Sequence, residues 1–89
     1  MRNADGDRLT VSDGRLLVLR GKEGRFVVDV YETDGKFVCS FGEGALEDAI
    51  DVTTGPDGLV RILDRYGFCV CVFTNHGQQH SKFHLFKRR

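Results

Sequence analysis

Eighty-nine residues carry thirteen basic and thirteen acidic side chains, eleven glycines, one proline and no tryptophan. That length admits one small domain, which hides only roughly 60% of the surface its unfolded chain exposes. A composition 40% hydrophobic and 29% charged excludes a disordered chain, and zero net charge argues against a dedicated nucleic-acid or membrane-surface binder. The longest apolar run, Phe68 to Phe73, falls far short of the about 20 residues that span a bilayer, so no membrane partner is expected. The N-terminus lacks the apolar stretch of a signal peptide.

Along the chain, short apolar segments are punctuated by Asp-Gly: Asp5-Gly6, Asp13-Gly14, Asp34-Gly35 and Asp57-Gly58. Asp-Gly between apolar runs signals a hairpin, because both residues tolerate the positive φ of a type I′ turn. The predicted strands are Leu9 to Ser12, Arg15 to Arg20, Phe26 to Glu32 and Lys36 to Phe41, then Ala49 to Thr53, Leu59 to Asp64, Phe68 to Thr74 and Lys82 to Phe86. In the second of these, Leu16 and Val18 point one way and Leu17 and Leu19 the other, so both faces call for cover. The segment 44–49 is too short to nucleate a stable helix. The expected class is all-β.

The eight strands read as two copies of four. Leu9, Val11 and Ser12 match Ile50, Val52 and Thr53 at an offset of 41, and Val18 and Leu19 match Ile62 and Leu63 at 44. Phe26, Val28, Val30, Tyr31 and Gly35 match Phe68, Val70, Val72, Phe73 and Gly77 at 42. The fourth strands align loosely as "KFVCSF" and "KFHLF", with Gln78 to Ser81 read as extra loop. A four-stranded repeat of this length is the period of a β-propeller blade.

The segments "LTVSDGRLLVL", "VDVYETDGKFVCSFG", "IDVTTGPDGLVRILD" and "VCVFTNHG" resemble the NHL repeat over nearly the whole chain. The resemblance implies two four-stranded antiparallel blades, about 8–42 and 49–87, of a propeller that is most often six-bladed. It implies a scaffold or interaction role rather than an enzyme, since such repeats pack cores and do no chemistry. Two blades cannot close a ring. Homo-oligomerisation is therefore expected, a head-to-tail trimer first, with eight blades as an alternative count. The residues expected to pack blades and protomers together are Leu16, Leu17, Val18, Leu19, Val28, Val30, Val60, Ile62, Val70 and Val72. The limits of the sequence, just outside a first and a last strand, read as those of an excised or engineered unit.

Candidate chemistry is sparse. Cys39, Cys69 and Cys71 are an odd set, and the spacing of the last two suits neither a relaxed disulfide nor the usual zinc knuckle. They read as small buried hydrophobes in a reduced, cytoplasmic setting. His76, His80 and His84 crowd one hairpin and read as surface polar groups, so no metal or cofactor is expected. Asp13 and Asp57 are accounted for by turn geometry, while Asp51, opposite Thr10 in the repeat alignment, is placed toward the central channel. Protein or peptide ligands on the loop faces are the expected partners. Single-stranded RNA is the alternative, carried by Lys82, Lys87, Arg88 and Arg89 with His84.

Overall fold

The structure, a computed structural model, describes residues 8–85. Among them lie β1 (Arg8–Ser12), β2 (Arg15–Lys22), β3 (Arg25–Glu32), β4 (Phe37–Phe41), β5 (Ala49–Thr54), β6 (Val60–Asp64), β7 (Cys69–Phe73) and β8 (Gln79–His84). They form two four-stranded antiparallel sheets, ordered β1-β2-β3-β4 and β5-β6-β7-β8. The chain is all-β, with two propeller-like blades, as the alternation of its apolar residues predicts. Among the described residues no helix is long and apolar enough to cross a membrane. Residues 43–48 make turns and bends instead, with the Ala45 amide donating to the Gly42 carbonyl at 3.0 Å, and Ala49 already belongs to β5.

Turn chemistry divides the Asp-Gly dipeptides. Asp13 and Gly14 both take positive φ, 51° and 71°, as a type I′ hairpin requires. Asp34 and Asp57 act differently. Each side chain accepts the amide two residues on, from Lys36 at 3.0 Å and Leu59 at 3.1 Å, and only the following glycine turns left-handed. Asp5-Gly6 lies outside the described residues.

Two alignments need correction. The last strand is Gln79–His84, with Gln79 opposite Phe73 and Phe83 opposite Val70, so Gln78 to Ser81 is no added loop. The turn before it matches its counterpart bond for bond: Thr74 N donates to Gln78 O at 2.8 Å, as Glu32 N does to Lys36 O. The equivalent of "KFVCSF" is thus "QQHSKF", whose polar residues hid the match. Likewise Leu9 pairs with Val18 and Val52 with Ile62, so β1 and β5 correspond at an offset of 43. The slip from 41 is two residues, which keeps each side chain on its face. Asp51 therefore corresponds to Arg8, not Thr10.

With these registers the sheets superimpose strand for strand, including one bulge, after Val30 in β3 and after Val72 in β7. Leu17, Leu19, Val28 and Val30 of the first sheet share a single buried cluster with Val52, Val60, Ile62, Cys69 and Cys71 of the second. Phe41 and Phe73 meet within it at 5.1 Å between ring centroids. β5 runs beside β1 and β2.

Candidate functional site

Each sheet spends one face on the shared core and leaves the other unpartnered. The side chains left outside differ between repeats in a systematic way. Leu17, Leu19, Val28 and Phe41 are core in the first sheet; by register their equivalents are Arg61, Leu63, Val70 and Phe83, on the outward face of the second. Conversely Leu16, Val18, Tyr31 and Leu9 face outward in the first sheet, while their equivalents Val60, Ile62, Phe73 and Val52 are core. Of the residues expected to pack, Leu17, Leu19, Val28, Val30, Val60, Ile62 and Val72 are buried, and Leu16, Val18 and Val70 are half-buried on the outward faces.

These faces are apolar. On the first, Leu9 is 62% exposed and Val11 and Phe37 are also open, with Tyr31 and Phe37 edge to face at 5.6 Å. On the second, Leu63, Val70, Phe83 and Leu85 line a groove of about 320 Å³ edged by Asp51, Thr53 and Arg61. Contiguous apolar surface of this kind marks an interaction site more often than scattered exposed residues do.

Polar groups punctuate both sheets. On the first sheet's outward face, the buried Asp29 carboxylate accepts from Arg20 Nε and Ser40 Oγ. The first strands of the two sheets, β1 and β5, meet through an ion pair, Arg8 to Asp51 at 3.9 Å. At the position equivalent to Arg20, Asp64 is 1% exposed and binds the loop ahead of β5. Its carboxylate accepts the amides of Glu47 at 2.8 Å, Asp48 at 3.0 Å and Tyr66 at 2.9 Å. Sequence reasoning missed this staple, whose only signal is an aspartate closing an apolar strand.

Asp64, Cys69 and Cys71 bring their ligand atoms within 4.8 Å of one another, a grouping that could in principle hold a metal. The chemistry of the donors speaks against it. The carboxylate is committed to three backbone amides, and Cys69 Sγ donates to the Tyr66 carbonyl at 3.7 Å. Burial, with the neighbouring Cys69 second, pushes the Cys71 thiol up to about 11, so the metal-binding thiolate is disfavoured.

At the turn end, Ser12, Asp13, Thr54, Asp57, Thr74 and Asn75 line a polar cleft of about 630 Å³. Its groups bond mostly to one another: Thr54 Oγ1 donates to the Val11 carbonyl at 3.2 Å, and Asn75 Nδ2 to Asp13 at 3.2 Å. Arg61 pairs with Asp57 at 2.7 Å and, with the Leu59 amide, holds that carboxyl down to about 2. The basic residues are similarly engaged. All six arginines among the described residues stand within 4.0 Å of a carboxylate: Arg8, Arg15, Arg20, Arg25, Arg61 and Arg65. Lys82 is exposed on β8, with His84 further along the same strand; Lys87, Arg88 and Arg89 lie outside the described residues.

Comparison with protein-family models finds no match, and comparisons with curated proteins and with solved structures find none either.

Proposed function

We propose that this chain is a non-catalytic scaffold that assembles with copies of itself into a closed ring of blades and offers its loop faces to protein or peptide ligands. The observation that carries the reading is the exchange of faces between repeats. At Leu17, Leu19, Val28 and Phe41 of the first sheet and at Val52, Val60, Ile62 and Phe73 of the second, the buried side chain has its equivalent on the other sheet's outward face, while Val30 and Val72 are buried in both. Head-to-tail association then buries both outward faces without inventing a new kind of contact. Three copies give six blades, the number that the likeness to NHL repeats favours, and each step turns the chain by about 120°.

Single-stranded RNA is the second reading, supported by the exposed rings of Tyr66 and Phe68 at the β6–β7 turn and by Lys82 on the adjoining strand. The pairing of the six arginines favours the scaffold over it. Light scattering separates the outcomes for assembly. A mass of about 30 kDa, three times the 10.0 kDa of one chain, supports the trimer; a folded particle of one chain's mass removes the ring. Filter binding to an RNA oligonucleotide at two salt concentrations tests the second reading, which needs affinity that falls as salt rises.

A further inference from the structure

The geometry points to a specific junction between copies, resting on the self-assembly reading: the β8 edge of one copy's groove seats Phe83 against Tyr31 of the next copy, while Leu9 of that next copy is buried beneath it. Within the chain the same positions are already engaged. Phe41 is 8% exposed and packs against Phe73, whereas its equivalent Phe83 is 49% exposed. Phe73 corresponds to Tyr31, and the buried Val52 to the open Leu9. Transposing the internal junction by one repeat therefore gives Phe83, Tyr31 and Leu9 the kind of surroundings that Phe41, Phe73 and Val52 already have.

Two further observations fit the transposition. A Cβ on Gly77 would come within 2.9 Å of the Phe41 side chain, so the internal junction needs a bare backbone there. The equivalent Gly35 has the same left-handed backbone, φ 96° beside 91°, yet open space around it. That space is where an incoming Phe83 would lie. Charge also repeats correctly. Arg8 and Asp51 occupy equivalent positions on the first strands of the two sheets and face each other at 3.9 Å. Head-to-tail addition sets Asp51 of one copy beside Arg8 of the next, so charges alternate around the axis. A junction of like faces would instead bring Arg8 toward Arg8 and Asp51 toward Asp51.

The test uses two variants that each disable one face at an exposed position, Leu9→Asp and Phe83→Asp, with mass read by light scattering and folding by circular dichroism. Leu9→Ser and Phe83→Ser replace either aspartate variant that loses its native spectrum. With the wild type assembled, each variant alone is expected to fall to one chain's 10.0 kDa. Mixed one to one, they are expected to form a dimer of twice that mass, because each retains the face the other lacks. Variants that stay assembled, or a mixture that stays monomeric or gives homodimers, overturn the junction while leaving self-assembly standing. A monomeric wild type overturns both.

Discussion

The two sheets share strand order, register and a bulge, yet solve opposite problems. The first buries Leu17, Leu19 and Val28 and exposes Leu9; the second buries Val52, Val60 and Ile62 and exposes Phe83. A repeat that is apolar on both faces has its exposure decided by neighbours, not by its own pattern. Substituting one equivalent position in each sheet separates these roles. Ile62→Ala empties a fully buried site and is expected to cost about 4 kcal/mol of folding stability in denaturant melts. Val18→Ala, at the equivalent half-buried position, is expected to cost less than half of that in the isolated chain and to weaken assembly instead. Equal losses at both sites would erase the distinction between inner and outer faces.

The polar positions sharpen the contrast. Arg20 and Asp64 are register equivalents, but only Asp64 gathers three backbone amides in a buried setting. Asp64→Leu leaves those donors unpaired and is expected to cost about 3 kcal/mol. A loss under 1 kcal/mol in the same melts would mean that the loop 47–48 finds other acceptors.

Arg61 is a charged residue at a position that is core in the other repeat, where Leu17 stands, just as Asp29 stands where the other repeat buries Cys71. Arg61→Leu makes the second outward face resemble the first sheet's buried one. Assembly is expected to tighten about tenfold, roughly 1.4 kcal/mol per junction, in dilution experiments. Weaker assembly would assign Arg61 a partner across the junction.

The smallest expected effect is on pH dependence. The Asp57 carboxyl is held at about 2 by Arg61 and the Leu59 amide, below its ordinary 3.8. A depressed folded value means that its contribution is present above pH 3.8 and lost as pH falls through about 2. Acid melts of the wild type and Asp57→Asn are therefore expected to differ at neutral pH and to converge near pH 2. A gap that persists below that point would place the effect elsewhere.

Seven of the eight strands were legible in the sequence to within two residues at each end, because apolar alternation marks them and Asp-Gly punctuates three of the hairpins. The eighth was misplaced because "QHSKFH" is polar; its pairing is dictated by the tight turn at Thr74 to Gln78. The two apolar faces of β2 were readable from four consecutive apolar residues, Leu16 to Leu19. Which face goes inward was not, since both are apolar and the choice depends on where the second sheet packs. The Arg8–Asp51 pair was hidden by the two-residue slip in the repeat alignment. The Asp64 staple was hidden because its acceptors' partners lie 16 or 17 residues earlier in the chain as well as two residues on.

The central claim is that the outward faces close on copies of the chain, and small-angle X-ray scattering tests it on the unmodified protein. A single chain has a radius of gyration of 12.7 Å. Compact size scaling places three chains at about 18 Å, and an open centre raises the value further. A monodisperse particle at or above about 18 Å is the predicted result. A folded particle that stays near 12.7 Å as concentration rises would contradict it.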